Sequence, residues 1–83
     1  MKTRQELINY LEKIGANDLT REMHPNKFQK KFFRLYLKNK SYIDFNFDYE
    51  PYDEVFLTAN IKNIKGLYTF NEAFELVEKF RNL

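Results

Sequence analysis

The sequence predicts a single α+β domain over residues 1–83, ordered α-β-β-β-α, with a three-stranded antiparallel meander and both helices packed on one face. Two observations carry this prediction. Apolar and polar residues alternate without a fault over residues 43–49, and a capping box followed by helical apolar spacing lies near each end of the chain. Nine Phe and six Tyr supply the large side chains that a core of this size needs.

The first predicted element is a helix over residues 4–14. Thr3 and Glu6 are spaced as a capping box, in which each side chain bonds the backbone N–H of the other residue. Gly15 stands where the left-handed residue that ends a helix belongs. Apolar residues recur between them at helical spacing: Leu7, Ile8, Leu11 and Ile14. Residues 17–23 could add a short helical turn that stops before Pro25.

Residues 26–38 fit two patterns. Helical spacing relates Phe28, Phe32, Leu35 and Tyr36, whereas alternation relates Phe33, Leu35 and Leu37. We predict a strand from about residue 31, because the strand that follows needs a partner for its backbone. A helix here would instead be a basic amphipathic segment of the type that contacts membranes.

Two more strands follow from alternation. In the first, Ile43, Phe45, Phe47 and Tyr49 alternate with Asp44, Asn46 and Asp48. In the second, Val55, Leu57, Ala59 and Ile61 alternate with Glu54, Phe56, Thr58, Asn60 and Lys62. Each strand therefore has an apolar face for the core and a mixed face for solvent.

The last predicted element is a helix that begins near residue 70. Thr69 and Glu72 form a second capping box. One face of this helix is apolar and carries Phe70, Ala73, Phe74, Val77 and Phe80.

We predict a first hairpin that turns through residues 39–41. Leu37 then lies opposite Ile43, Tyr36 opposite Asp44 and Arg34 opposite Asn46, so that Arg34 reaches Asp44 and Asp48 diagonally. Exposed aromatics beside an arginine have the composition of binding hot spots. The predicted partner-binding face consists of Arg34, Tyr36, Tyr42, Asp44, Asn46, Phe56 and Thr58. The alternative is that these side chains only shield the sheet, since scattered exposed aromatics are normal.

Charge is segregated along the chain, although the formal net charge is only +2. Residues 21–40 hold seven basic residues and one acidic residue, whereas residues 41–57 hold five acidic residues and no basic one. Pairing of these two segments would neutralise part of the basic block. The remaining lysines could make weak, salt-sensitive contacts with phosphates, and they form the alternative nucleic-acid-binding site: Lys27, Lys30, Lys31, Lys38 and Lys40.

Catalytic and metal motifs are not found in the sequence. His24 is the single histidine, Ser41 is the single serine, and there is no cysteine. Asp44 and Asp48 would lie about 13 Å apart along a strand, which is too far for a glycosidase pair. The same two residues open a pattern like a calcium loop, but Tyr49 stands where that loop needs glycine. We expect a protein that is not an enzyme and has no cofactor or metal.

The localisation prediction rests on apolar runs. Residues 1–6 lack the apolar region of a signal peptide. The longest apolar run covers residues 55–57, far short of the roughly 20 residues that span a bilayer. We therefore expect a cytoplasmic protein without a membrane partner.

The α-β-β-β-α order is similar to that of double-stranded-RNA-binding domains, in topology alone. Those domains carry a basic cluster at the start of the last helix, where this chain has Glu72 and Glu75. Some anti-CRISPR inhibitors share the same order. The Lys/Asn/Phe/Tyr-rich composition also resembles that of compact proteins from phages and other mobile elements.

We therefore hypothesise a binding protein of phage or mobile-element type that inhibits or modulates a larger host protein or nucleoprotein. An anti-CRISPR-like inhibitor is the fold-level analogy for this role. The alternative is a nucleic-acid-binding accessory domain that uses the lysines within residues 27–40. The sequence leaves monomer and dimer open, and self-association through an open sheet edge is a third option.

Overall fold

The computed structural model describes residues 2–23, 30–47, 53–61 and 63–81. The predictions for Lys27, Asp48 and Tyr49, and those for the turn at His24 and Pro25, lie outside the described residues.

Three helices are present in the described ranges: α1 at Arg4–Lys13, α2 at Thr20–Met23 and α3 at Phe70–Arg81. The capping box predicted at Thr3 is formed, because Thr3 Oγ1 accepts from the N–H of Glu6 at 3.1 Å while Glu6 Oε1 accepts from the N–H of Thr3 at 2.9 Å. Gly15 ends α1 with a φ of 88°, in the left-handed region predicted for it. Thr69 and Glu72 form the equivalent box before α3.

Five antiparallel strands of the described chain form one sheet in the order β1-β2-β3-β4-β5. They are β1 at Asn17–Asp18, β2 at Lys31–Tyr36, β3 at Tyr42–Phe47, β4 at Glu54–Ala59 and β5 at Lys65–Thr69. The α+β class is confirmed, and β2, β3 and β4 are the predicted meander. The prediction of three strands is wrong, because β1 and β5 add one at each edge. The element order is therefore not α-β-β-β-α, so the topological resemblance to RNA-binding domains and anti-CRISPR inhibitors does not hold.

The first hairpin pairs two residues away from the predicted register. Leu35 lies opposite Ile43, Arg34 opposite Asp44 and Tyr36 opposite Tyr42. The turn lies one residue earlier than predicted, since Lys38–Lys40 form one turn of 3-10 helix and the N–H of Leu37 donates to the carbonyl of Ser41 at 2.7 Å. A shift of two residues leaves every side chain on its predicted face.

One hydrophobic core lies between the helices and the inner face of the sheet. Phe33, Phe45 and Leu57 are fully buried at its centre. α1 contributes Leu7, Ile8 and Leu11, and α3 contributes Phe70, Ala73 and Val77. Burying this many large side chains supplies the main stabilising free energy of a domain this small.

Tyr10 links the two long helices on the side away from the sheet. Its ring centroid lies 4.1 Å from that of Phe74, its hydroxyl donates to Glu78, and the same oxygen accepts from Arg81 Nη1 at 3.1 Å. Partial burial raises the pKa of the Tyr10 hydroxyl, and the hydrogen bond to Glu78 adds to this shift. α1 and α3 are thereby held side by side. Within the described part of the chain, no helix is long and apolar enough to cross a bilayer.

Candidate partner-binding face

The sheet face turned away from the core is called the outer face. Alternation along β2, β3 and β4 directs all seven predicted site residues toward it. They are Arg34, Tyr36, Tyr42, Asp44, Asn46, Phe56 and Thr58. β5 adds Lys65 and Leu67, which the sequence analysis did not identify because this strand was not predicted.

A bidentate ion pair lies at the centre of the outer face. Arg34 Nε donates to Asp44 Oδ1 at 2.7 Å, and Arg34 Nη2 donates to Asp44 Oδ2 at 3.0 Å. Asp44 is only 8% exposed, so its charge is taken up by Arg34 rather than presented to solvent. Hydrogen bonding to Asp44 raises the pKa of Arg34, which therefore stays cationic. The two residues can form this pair because the observed register places them directly opposite each other on β2 and β3.

An aromatic pair lies on one side of this ion pair. Tyr36 and Tyr42 are directly opposite each other, with ring centroids 6.1 Å apart in an edge-to-face arrangement. The guanidinium of Arg34 lies 4.2 Å from the centroid of the Tyr42 ring, within the range of a cation–π contact. Tyr36 is 56% exposed and Tyr42 is half-buried. Tyr42 is therefore held in place while Tyr36 offers its ring to solvent.

An apolar pair lies on the other side of the ion pair. Phe56 and Leu67 are directly opposite each other on β4 and β5, and they are 37% and 64% exposed. A local signal for this strand existed, because Leu67 and Thr69 alternate with Gly66 and Tyr68. The segment is short and contains a glycine, so its alternation is weaker than that of β3.

The outer face is closed at the β1 side. Phe32 points outward but is only 6% exposed, and its N–H donates to Thr20 Oγ1 at 3.1 Å. Thr20 in turn donates its hydroxyl and its N–H to Asp18 Oδ1. Burial opposes ionisation of Asp18, but the hydrogen bonds from Thr20 outweigh it and lower the pKa of this carboxyl. Asn46, opposite Phe32, is half-buried.

The lysines of the alternative nucleic-acid site are spread along β2. Lys30 and Lys31 lie at the start of this strand, whereas Lys38 and Lys40 lie in the turn after its end. The seven steps along the chain from Lys31 to Lys38 correspond to about 23 Å if the chain is extended. Lys31 also lies near Asp18, whose pKa it helps to lower. The described lysines of this set therefore occupy two separate places rather than one patch.

Two adjoining clefts open on the helical side, near the start of α3. The larger, of about 380 Å³, is lined by Lys2, Glu6, Asn71, Phe74 and Glu75. The smaller, of about 240 Å³, is lined by Lys2, Asp53, Thr69, Phe70 and Asn71. Lys2 separates them, since its N–H donates to Asn71 Oδ1 at 2.6 Å and its Nζ lies 4.6 Å from the Phe74 ring centroid.

The clefts combine Lys2 with Glu6, Asp53 and Glu75, and Glu6 already accepts a hydrogen bond from the N–H of Thr3 in the helix cap. Among the described residues, no group of three or more His, Asp or Glu side chains is placed to hold a metal ion. The chain matches no protein-family model, no curated protein and no solved structure. The functional interpretation therefore rests on the geometry of the outer face.

Proposed function

We propose that this chain is a small non-enzymatic binding protein whose outer face attaches to a larger protein. The observation that carries the proposal is the exposure of large apolar side chains on a rigid sheet. Tyr36, Phe56 and Leu67 are 37–64% exposed, although the other side of β2 and β4 buries Phe33, Val55 and Leu57. Aromatic and aliphatic side chains placed in this way are typical of the residues that dominate binding free energy.

The central ion pair supports the same proposal through its low desolvation cost. A free charge in the middle of an interface must lose its water, which opposes binding. Here Arg34 and Asp44 already satisfy each other with two hydrogen bonds. The middle of the outer face therefore resembles an interface core, from which unpaired charges are depleted.

The outer face is also held rigid before a partner arrives. Its side chains stand on paired strands rather than on loops, and the T-shaped contact of Tyr36 with Tyr42 restricts both rings. Less conformational entropy is lost on binding when the binding side chains are already ordered.

Inhibition or modulation of the partner would follow from coverage of its surface. The Lys/Asn/Phe/Tyr-rich composition of this short chain supports a phage or mobile-element origin, and a host protein or nucleoprotein is the proposed target. The proposed site residues remain Arg34, Tyr36, Tyr42, Asp44, Asn46, Phe56 and Thr58, now joined by Leu67.

The test is a quantitative pull-down from host lysate with and without nuclease, read by mass spectrometry. The double variant Tyr36→Ala, Phe56→Ala is compared with the wild-type chain and with a control variant, Glu12→Ala, Lys13→Ala, which removes two exposed side chains from α1. We expect the double variant to lose a partner that the wild type and the control both retain, since truncating a hot-spot side chain costs about 2 kcal/mol or more.

Retention of every partner by a folded double variant would contradict the proposal. The same experiment separates the nucleic-acid alternative. Capture that disappears with nuclease, or falls steeply between about 50 and 200 mM salt, would indicate phosphate contacts by the lysines instead.

A further inference from the structure

Among the residues that the structure describes, none forms a strand along the second edge of β5. The first edge of β5 pairs with β4. The N–H of Thr69 donates to Glu72 Oε1 rather than to β4. Because ladder hydrogen bonds alternate along an antiparallel strand, Leu67 and Lys65 also direct their N–H and carbonyl groups away from β4. An edge of this kind is a template for another strand.

The residues of β5 are complementary to a second copy of β5. In an antiparallel pair centred on Leu67, each Leu67 lies opposite the other, and each Lys65 lies opposite Thr69 rather than another charge. Each Gly66 then lies opposite Tyr68 on the inner side. The space beside Gly66 is open, since a Cβ added to this residue would have no heavy atom within 4 Å. An aromatic ring from the facing strand can cover an edge glycine in this way.

The flank of α3 above this edge is also only partly covered. The side chains of α3 that face α1 are Asn71, Phe74, Glu78 and Arg81. α3 contacts α1 and packs on β4 and β5, so we place the flank of α3 that faces away from α1 toward the β5 edge. Helical spacing places Glu72, Leu76 and Phe80 on that flank, and Leu76 and Phe80 are half-buried against the core.

Two copies of this flank fit each other when they run antiparallel. A two-fold axis through Leu67 and Leu76 would set Leu76 against its own copy and bring Glu72 near Lys79 of the other copy, twice. Glu72 uses Oε1 in the helix cap, and Lys79 is exposed. The strand edge is therefore self-complementary about Leu67, and the helix flank is self-complementary about Leu76.

We propose that the chain forms a two-fold symmetric dimer through β5 and α3, in which two five-stranded sheets join into one continuous sheet. The proposal is independent of the identity of any outer-face partner. In the dimer, the row from Phe56 to Leu67 continues across the axis into the second copy. Two outer faces are thereby displayed side by side on one surface.

The first test is sedimentation equilibrium of the wild-type chain from about 1 to about 500 µM, a range that brackets micromolar dissociation constants. We expect a mass that rises with concentration from 10.2 kDa toward twice this value. Hydrogen exchange followed by mass spectrometry shows which segments form the dimer interface. The exchange of peptides that contain Leu67 should slow with rising concentration, whereas that of peptides from α1 should not change.

The second test uses Lys79→Glu, which would place two glutamates together at both ends of the helix pair. We expect its dimer dissociation constant to rise about tenfold, because each substitution acts twice in a symmetric interface. The matched control is Lys13→Glu, which also replaces an exposed lysine in the last turn of a helix but lies in α1. The control should dimerise as the wild type does.

Leu67→Pro adds a backbone test, because it removes an N–H of the open edge and leaves the β4–β5 ladder intact. Circular dichroism establishes whether each variant is folded. A wild-type chain that stays monomeric throughout the concentration range would overturn the proposal. Equal weakening of the dimer by Lys79→Glu and Lys13→Glu would also overturn it.

Discussion

The two faces of the sheet carry similar side chains and bury them to very different extents. On the inner face, Phe33 and Phe45 are fully buried. On the outer face, Tyr36 and Phe56 are 56% and 37% exposed. Aromatic content alone therefore does not indicate what a side chain does in this protein. The inner aromatics hold the fold together, and we interpret the outer aromatics as serving a partner.

The contrast between the faces is not complete. The Arg34–Asp44 pair lies on the outer face and yet is largely withdrawn from solvent, so it contributes to both roles. It fixes β2 against β3 and neutralises the centre of the proposed binding surface. Substitutions on the two faces should therefore separate stability from binding, with the ion pair between the two extremes.

The largest expected difference in stability is between two variants that each truncate one phenylalanine, one on the inner face and one on the outer face. Phe45→Ala should lower the free energy of unfolding by about 3–5 kcal/mol, because it leaves a cavity in the packed core. Phe56→Ala should lower it by only about 1–2 kcal/mol, since this side chain is 37% exposed and leaves no closed cavity. Urea unfolding of both variants measures the difference. Equal losses would show that the outer face is part of the structural core.

The next largest loss of stability is expected when the Arg34–Asp44 ion pair is broken. Asp44→Ala should lower the free energy of unfolding by about 1–3 kcal/mol, because Arg34 loses both of its bonds to the carboxylate. A double-mutant cycle with Arg34→Ala provides the control. The loss in the double variant should be smaller than the sum of the two single losses. Additive losses would mean that the pair contributes no coupling.

A smaller loss of stability is expected when either of the two helix caps is removed. Thr69→Ala and Thr3→Ala each remove a hydroxyl that accepts from a helical N–H, and each should lower the free energy of unfolding by about 1 kcal/mol. Thr58→Ala, on the outer face, is the comparison variant and should have a smaller effect. Thermal unfolding monitored by circular dichroism measures all three.

The caps also give the protein a pH dependence. Hydrogen bonds from the backbone N–H groups of Thr3 and Thr69 lower the pKa values of Glu6 and Glu72 below the ordinary 4.5. Their contribution to stability is therefore present above pH 4.5 and is lost as the pH falls through the lower pKa of the folded state. Glu72→Gln should reduce the slope of unfolding free energy against pH below about pH 5. An unchanged slope would contradict this assignment.

The sequence predicted the strands whose alternation is long. Over residues 43–47 the period of two fixes which side chains face the core and which face outward. The same alternation in β2 and β4 explains why all seven predicted site residues lie on the outer face. It did not predict β1, because two residues carry no periodic signal. β5 was missed because a glycine interrupts a run of only five residues. The two capping boxes predicted the starts of α1 and α3 to the residue.

The register of the first hairpin shows what alternation cannot determine. A slip of two residues keeps each side chain on its face, so periodicity favours neither pairing. The turn decides between them, and Lys40 adopts a φ of 63° to complete it. The observed register also places Arg34 directly opposite Asp44, where a bidentate pair can form. The direct pairing of Arg34 with Asp44 distinguishes the two registers, whereas turn length does not, because each register closes a three-residue turn.

The account assigns stability to the inner face and binding to the outer face. The most direct test of this assignment measures both stability and partner capture on one variant. The triple variant Tyr36→Ala, Phe56→Ala, Leu67→Ala removes the exposed apolar side chains of the outer face. We predict that capture of the partner falls about tenfold or more, while the variant is folded in water and still unfolds cooperatively in urea. Unchanged capture by the folded triple variant would contradict the assignment of binding to the outer face.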